Sequence, residues 1–167
     1  MKENVLVIIK PDGMRKALVG NILSKFSEAR LVMLAIGLQE VSLERAQEHY
    51  KHLRQKPFFN QIVHYLMGEF HDGEKVLAII FKGENAIAKC RDIAGATNPE
   101  EADPASIRGA FGRITTQGLF ENVVHVSSDG KEAEREIKLW FSPEEVSEEI
   151  FPTKEAAAKD AIRRVWA

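Results

Sequence analysis

Apolar and polar positions follow one another along this chain in two patterns. Continuous apolar runs predict four buried strands, at residues 5–9, 31–41, 74–83 and 123–126. Apolar residues at helical spacing predict helices at residues 18–31, 43–53, 58–67 and 85–95 and in the segment after Asp129. The resulting order is typical of a split βαβ α+β fold, a four-stranded antiparallel sheet with surrounding helices. Helices pack on one face of such a sheet, and the other face is left for extra helices, a partner subunit or a ligand.

Two segments outside these runs carry their own signals. Residues 96–120 contain two prolines and three glycines, and within them Asp103 and Pro104 are predicted to open one helical turn that runs through Arg108. Residues 152–167 have a strongly helix-forming composition, and we expect a C-terminal helix there. No internal repeat, low-complexity tract or linker divides the sequence, which predicts one domain.

The composition agrees with a single soluble domain. With 167 residues, 44% of them apolar and 29% charged, the chain is long enough for one hydrophobic core. The net charge of −2 gives no overall field for nucleic acid or an anionic membrane, so local cations must hold any anionic ligand. Cys90 is the single cysteine, and the N-terminal apolar run is too short for a signal peptide or a membrane span. We therefore expect a cytoplasmic protein without nucleic-acid or membrane partners.

His125 lies inside the last apolar run, where it is either a working imidazole or a histidine satisfied by ordinary packing. By alternation the valines on either side of it share one sheet face, so His125 is expected on the opposite face together with Val123. Ser127 follows on the same face as His125, and Glu136 lies two turns into the next helix, where it could orient the ring. A nucleophile, an orienting carboxylate and a hydroxyl suit covalent catalysis.

Cationic side chains lie at points where they could hold an anion. Lys10 ends the first strand, and the proline after it restricts its backbone to extended conformations, although a lysine at a strand end is also a common guard against edge pairing. Arg91, Arg108 and Arg113, together with Thr97, lie on a helix end and in the long segment that follows. They either bind phosphate through paired hydrogen bonds or are unrelated surface residues.

Aromatic and histidine residues cluster in the predicted helical hairpin. Tyr50 belongs to the inner face of its helix, where core packing is its default role. Phe58 and Phe59 cannot both point inward from the start of a helix, so one of them is expected to be exposed and able to stack on a base. His49 and His52 are one turn apart, but no further ligand has metal-binding spacing, and we predict no protein-ligated metal site. Both glycine-rich phosphate-loop motifs are absent, so a nucleotide would be bound in another way.

Between about Val5 and Glu149 the chain contains, in order, IIKPDGMRKALVGNIL, EHYKHLRQKPFF, GATNP, SIRG and NVVHVSSD followed by AEREIKLWFSPEE. Together these segments resemble the nucleoside diphosphate kinase family. The resemblance implies a ferredoxin-like fold and a ping-pong exchange of the terminal phosphate between nucleoside triphosphates, chiefly ATP, and nucleoside diphosphates through a phosphohistidine. It also implies Mg²⁺ that is carried by the substrate phosphates, with no protein ligand, and a homo-oligomer.

The resemblance also assigns roles to individual residues. His125 matches the phosphorylated nucleophile, and Glu136 and Ser127 match the residues that support it. Asn122 matches the residue that meets the ribose, and Phe58 the one that stacks on the base. The positions that match phosphate and active-site contacts are Lys10, Tyr50, Arg91, Thr97 and Arg108, with Lys10 counted as both catalytic and nucleotide-binding.

Three features depart from the family pattern. The loop at 109–121 is longer than in common members, so Arg113 has no matching role. Val126 stands where the family usually has a small residue, and its side chain could either narrow the space beside the imidazole or pack on the opposite face. Residues 152–167 extend beyond the core, which divides the chain into a kinase-like domain at 1–151 and a helical extension that packs on that domain or on a neighbouring subunit.

Two other functions are compatible with the same architecture. The first is a non-catalytic nucleotide-binding or scaffolding relative, and the presence of His125, Glu136, Ser127 and Lys10 argues against it. The second is a nucleic-acid-binding module, which the acidic net charge and the lack of an aromatic RNA-binding strand disfavour. The sequence leaves the base preference and the size of the oligomer open.

Overall fold

The structure is a computed structural model that describes residues 2–73, 75–157 and 162–166. Its strands are β1 (Lys2–Ile9), β2 (Val32–Gln39), β3 (Val76–Glu84), β4 (Arg113–Ile114), β5 (Phe120–Glu121), β6 (Val124–Val126), β7 (Thr153–Ala157) and β8 (Ile162–Trp166). Its α-helices are α1 (Pro11–Arg15), α2 (Val19–Ser27), α3 (Leu43–His49), α4 (Phe59–Leu66), α5 (Ala86–Ala94), α6 (Ile107–Phe111) and α7 (Gly130–Trp140). No helix within the described ranges combines the length and the apolar character needed to cross a membrane.

Four strands form the main sheet in the order β2, β3, β1, β6, and every neighbouring pair is antiparallel. The short strand β6 pairs with the end of β1, so that Ile8 lies opposite His125 and Ile9 opposite Val124. This arrangement confirms the predicted four-stranded antiparallel α+β fold. It also brings the residue that follows β1, Lys10, next to the strand that carries His125.

Side chains of β1 enter two separate cores on the two faces of the sheet. Val5, Val7 and Ile9 pack with α2 and α5, whereas Leu6 and Ile8 pack with α3, α4 and α7. Helices therefore cover both faces of the sheet, which confirms the predicted sheet with surrounding helices and shows which of the three expected kinds of cover occupies the second face. All five of these residues are apolar and fully buried, and a strand that is apolar at every position needs cover on both faces.

The helical turn in the long segment begins later than predicted. Ser106 caps α6, since its hydroxyl accepts a hydrogen bond from the backbone N–H of Gly109 at 3.2 Å. Asp103 instead closes the preceding turn, where its carboxylate accepts from the N–H of Ala105 at 2.7 Å. Aspartate and serine are both good caps, and the sequence does not show that Asp103 already bonds to its own turn.

The loop at 109–121 contains the hairpin β4–β5, which is held by one buried carboxylate. Glu121 receives Arg113 Nε at 2.5 Å, Lys16 Nζ at 3.0 Å and His71 Nε2 at 3.1 Å. Burial would raise the pKa of Glu121, but hydrogen bonds from Arg113, Lys16 and His71 outweigh it and lower the pKa to about 2. The hairpin is thus fixed to the segment after α1 and to the segment after α4.

The helix predicted for residues 152–167 is wrong for the part that the structure describes, which is a β-hairpin. The strands β7 and β8 pair antiparallel, with Thr153 opposite Trp166, and residues 158–161 and 167 lie outside the described residues. The indole N–H of Trp166 donates to the carbonyl of Phe141 at 2.9 Å, and its ring lies 5.6 Å from that of Phe151. These tertiary contacts override a local preference for helix, which is only a weak determinant of structure.

Candidate active site

His125 turns its side chain toward the sheet face that α3 and α7 cover. Its neighbour across the sheet, Ile8, belongs to the core on that face, whereas Val124 and Val126 are buried in the other core. The predicted opposition between His125 and these two valines is confirmed, and Val126 packs away from the imidazole. The prediction for Val123 is wrong: it is buried with the other valines, because its left-handed backbone, with φ of 55°, breaks the alternation.

The two predicted supports of His125 are bonded to it or to each other. The Nε2 of His125 lies 3.0 Å from Oε1 of Glu136, and the hydroxyl of Ser127 donates to Oε2 of Glu136 at 2.6 Å. The same hydroxyl accepts a hydrogen bond from the backbone N–H of Leu6 at 3.2 Å. Both carboxylate oxygens are therefore held, and the carboxylate in turn fixes one side of the imidazole.

The charge of Glu136 decides which nitrogen of His125 is free. Burial would raise the pKa of Glu136, but the electrostatic interaction with His125 and the hydrogen bond from its ring outweigh burial and lower the pKa to about 2. An ionised carboxylate can only accept a hydrogen bond, so Nε2 of His125 carries the proton and Nδ1 keeps a lone pair. No group within the described residues bonds to Nδ1, and the side chain is 17% exposed.

Lys10 contributes a positively charged side chain at the edge of the site. Its backbone N–H donates to the carbonyl of Val123 at 2.8 Å, and its ammonium lies 4.8 Å from the centroid of the Tyr65 ring. Burial lowers the pKa of Lys10 to about 8; Asp12 opposes this shift and Arg108 adds to it. By strand alternation Lys10 follows Ile8 on the sheet face of His125, so the ammonium and the imidazole share one side of the sheet.

Asp12 is a site residue that the sequence does not identify. It is fully buried, and its carboxylate accepts a hydrogen bond from the backbone N–H of Val123 at 3.0 Å. This bond ties the start of α1 to the residue whose left-handed backbone leads into β6. After burial, the charge of Asp12 is the next cause that raises the pKa of Tyr65. In the sequence, the only indication that Asp12 belongs to the site is its place in the segment KPDG, and this segment is equally typical of an ordinary turn.

Arg108 reaches from α6 to the backbone beside His125. Its Nη1 donates to the carbonyl of Gly95 at 2.8 Å, and its Nη2 donates to the carbonyl of Val124 at 2.9 Å. Burial, followed by the charge of Arg91, lowers the pKa of Arg108 to about 10, so the side chain is still charged at neutral pH. The predicted phosphate ligand therefore also braces β6 one residue before His125.

Arg91, Thr97 and Asn122 lie around the end of α5 and the turn that follows it. Arg91 and Thr97 are exposed, whereas Asn122 is buried. The Nδ2 of Asn122 donates to the carbonyl of Thr97 at 2.7 Å, and its Oδ1 has no hydrogen-bond partner in the described part of the chain. The structure thus joins Thr97 to Asn122 directly, while Arg91 acts on the site through its charge next to Arg108.

Tyr50 and Phe58 occupy the helical hairpin on the His125 side of the sheet. Tyr50 is buried, with its ring 4.7 Å from that of His49, as expected for the inner face of its helix. Burial and the charge of Glu136 raise the pKa of Tyr50, so its hydroxyl stays protonated. Phe58 is 44% exposed and Phe59 is 9% exposed, which confirms that one of the two rings points outward.

One group of side chains in the described ranges has ligand atoms close enough to hold a metal ion. His49, His125 and Glu136 each offer one such atom, and these atoms lie within 4.8 Å of one another. Two nitrogens and one oxygen do not fit Mg²⁺, which takes oxygen ligands, and metal here would occupy the free imidazole. The group suits a hydrogen-bonded catalytic cluster better than a resident cation.

Comparison with known proteins gives matches along most of the chain. The family model described as nucleoside diphosphate kinase matches residues 3–146. A nucleoside diphosphate kinase from Bacillus licheniformis is 40% identical over 147 residues, which cover 88% of this chain and 93% of that protein. The family model includes every residue discussed above from Lys10 to Trp140.

Solved structures give the same family. The transition state mimic of nucleoside-diphosphate kinase from Borrelia burgdorferi, with bound vanadate and ADP, has a TM-score of 0.79 and 29% identity over 87% of this chain and 90% of that chain. The halophilic nucleoside diphosphate kinase from Halobacterium salinarum, in complex with CDP, has a TM-score of 0.78 and 32% identity over 87% and 91%. These likenesses confirm the fold class predicted from the sequence.

We expect the contribution of Glu136 to the free energy of unfolding to depend on pH in the acidic range. Its pKa in the folded protein, about 2, lies below its ordinary value of 4.5. The contribution is therefore complete above about pH 4.5 and is lost as the pH falls toward 2. Glu136→Gln removes the titrating group. The difference in free energy of unfolding between wild type and this variant, roughly 3 kcal/mol at most, should therefore shrink as the pH falls through this window.

Urea unfolding of both proteins from acidic to neutral pH measures this difference. Glu134→Gln, on the same helix, provides a control at a carboxylate that faces Lys138 instead of the imidazole. A difference between wild type and Glu136→Gln that stays constant across the acidic window would contradict the assigned ionisation.

Proposed function

The chain belongs to the nucleoside diphosphate kinase family and is a phosphotransferase, and we propose that it transfers the terminal phosphate of nucleotides through a phosphohistidine at His125. The observation that carries this proposal is the state of the imidazole. One ring nitrogen is held by Glu136 at 3.0 Å, while no group within the described residues bonds to the other nitrogen. Such a ring is oriented and keeps a nucleophilic lone pair.

In the first half-reaction the lone pair on Nδ1 of His125 attacks the γ-phosphorus of a nucleoside triphosphate. A P–N bond forms while the bond from the γ-phosphorus to the bridging oxygen breaks, and that electron pair leaves with the nucleoside diphosphate. The second half-reaction reverses these steps with another diphosphate. No oxidant, reductant or water enters, and Nε2 keeps its proton throughout.

Glu136 and Ser127 support the positive charge that forms on the ring. When Nδ1 takes the phosphoryl group, the protonated imidazole carries a positive charge, which the buried carboxylate of Glu136 neutralises at 3.0 Å. A charge-assisted hydrogen bond of this kind is stronger than a neutral one. Ser127 holds the second carboxylate oxygen, so Glu136 cannot turn away from the ring as the charge changes.

The cations serve the phosphates more than the nucleophile. Phosphoryl transfer needs mainly positioning and charge neutralisation, and Lys10 and Arg108 supply positive charge beside the start of the strand that carries His125. Arg91 and Thr97 are assigned to phosphate contacts, which their exposure to solvent supports. Tyr50 keeps its proton and can donate a hydrogen bond to an anionic oxygen.

We assign the base to Phe58 and the ribose to Asn122. The exposed ring of Phe58 offers a face on which any base can stack, because every base has a π-surface. The unpartnered Oδ1 of Asn122 is an acceptor for a sugar hydroxyl. Relatives with bound ADP and with CDP support both purine and pyrimidine nucleotides as substrates.

Mg²⁺ fits this site as part of the substrate. Family members are metal-dependent, and the candidate ligand group of His49, His125 and Glu136 has the wrong donor atoms for this cation. The oxygen ligands would come from the nucleotide phosphates. Bound there, the ion supplies further neutralisation of the phosphate charge.

We expect wild-type protein to become labelled when it is incubated with Mg²⁺ and γ-labelled ATP. The label should be stable to alkali and labile to acid, as a P–N bond requires, and His125→Ala should carry none. Purine and pyrimidine nucleoside diphosphates should both discharge it, because Phe58 stacks without reading base edges. A wild-type protein that takes up no label, or His125→Ala that takes up as much as wild type, would overturn the proposal.

We expect nucleotide binding by the free enzyme to weaken above about pH 8. The pKa of Lys10, lowered by burial to about 8, leaves its ammonium charged below that pH and neutral above it. In wild type, KM for ATP should rise above that pH. Lys10→Arg keeps its positive charge at high pH, so its KM should rise less with pH, even if its KM at neutral pH differs from that of wild type. Steady-state kinetics from neutral to alkaline pH measures this, and an equal rise in both proteins would count against Lys10.

We propose that the chain forms a homo-oligomer through the outer edge of β2. This edge strand carries apolar side chains that are far more exposed than the core, namely Val32 at 61%, Met33 at 42%, Ile36 at 48% and Leu38 at 59%. Sedimentation should give wild type a multiple of 18.8 kDa, and Leu38→Lys should lower it. The control Phe70→Lys, at an exposed residue outside β2, should not. A wild-type mass of one chain would contradict this proposal.

A further inference from the structure

His49 is a buried histidine with a fixed tautomer. It ends α3, is fully buried, and its Nδ1 lies 3.2 Å from the indole nitrogen of Trp140. An indole N–H can only donate, so Nδ1 of His49 must be the unprotonated acceptor. The neutral ring therefore carries its proton on Nε2, and Trp140 selects this form.

The same ring lies against the nucleophile. The centroids of His49 and His125 are 4.4 Å apart and their planes meet at 77°, an edge-to-face contact. The Nε2 of His49 is buried and has no hydrogen-bond partner among the residues that the structure describes. Buried donors without a partner are rare in folded proteins, whereas a donor that meets the face of an aromatic ring is a known weak interaction. Three rings lie edge-to-face with His49, those of His125 at 4.4 Å, Tyr50 at 4.7 Å and Trp140 at 5.6 Å between centroids, and His125 is the nearest of them.

The charges around His49 keep its ring neutral. Burial, followed by the charge of His125, lowers the pKa of His49 well below its ordinary value, with further lowering from Arg135 and His52. Glu136 opposes these effects but does not outweigh them. Arg135 also binds the backbone of this segment, where its Nη2 donates to the carbonyl of His49 at 3.0 Å. His49 thus adds no positive charge next to a ring that becomes positive during the reaction.

We propose that His49 is a positioning residue whose Nε2–H holds the plane of the His125 ring, so that Nδ1 faces the incoming phosphate. Glu136 fixes a single atom of that ring, and the ring can still rotate about the resulting hydrogen bond. A second contact on the ring face removes this freedom, and small errors in the attack angle slow phosphoryl transfer strongly. The inference rests on the proposed function, in which His125 is the nucleophile.

Two substitutions separate this role from a purely structural one. In His49→Gln the side-chain amide reaches the position of Nε2 and can still donate toward His125. In His49→Asn it reaches only the position of Nδ1, where it can keep the partner of Trp140. We expect single-turnover phosphorylation by ATP to stay within about threefold of wild type for His49→Gln and to fall at least ~tenfold for His49→Asn, with little change in KM.

The opposite ranking, or equal rates in the two variants, overturns the proposal, and thermal melts establish that both variants are folded. Nitrogen NMR of the wild-type protein gives a test that needs no variant. His49 should appear as the neutral Nε2–H tautomer, and an Nδ1–H or charged ring would overturn the proposal. A wild-type protein that forms no phosphohistidine would refute the proposed function instead, and the NMR result would still report on His49.

Discussion

The buried carboxylate of Glu136, shared between His125 and Ser127, is the interaction on which the site depends. A charge without solvent must be neutralised by its neighbours, so the carboxylate is stable only where β6 and α7 meet in one register. Asp129 sets that register by capping α7, since its side chain accepts from the N–H of Glu132 at 2.9 Å. Two turns later the helix presents Glu136 to the sheet. The position at which α7 starts therefore also fixes the contact between Glu136 and His125.

The positive side of the site is built through the main chain of the segment before His125. Lys10 donates its backbone N–H to the carbonyl of Val123, Asp12 accepts from the N–H of Val123, and Arg108 donates to the carbonyl of Val124. Three elements therefore converge on two peptide units. Because these cations are fixed beside the strand that carries His125, the proposed transfer could align a phosphate with the imidazole without a separate phosphate loop.

The sequence predicted what depends on periodicity and failed where a distant contact decides. Alternation separated His125 from its flanking valines, and helical spacing brought Glu136 back to the sheet. The left-handed backbone of Val123 could not be predicted. The backbone N–H of Val123 donates a hydrogen bond to the carboxylate of Asp12, which is far away in the sequence. The C-terminal helix was predicted from local propensity, which the packing of Trp166 overrides. His49 also acquires its tautomer from Trp140, a partner that only the folded chain brings close.

The hairpin in the long loop is held by contacts that make four positions depend on each other. Glu121 balances Lys16, His71 and Arg113, which come from three separate segments. If this acid were lost, the positive charges of Lys16 and Arg113 would repel each other without a carboxylate between them. Acceptable changes at any of the four should therefore be accompanied by changes at the others. Within a set of close homologues, these positions are expected to vary together as a charge-balanced group.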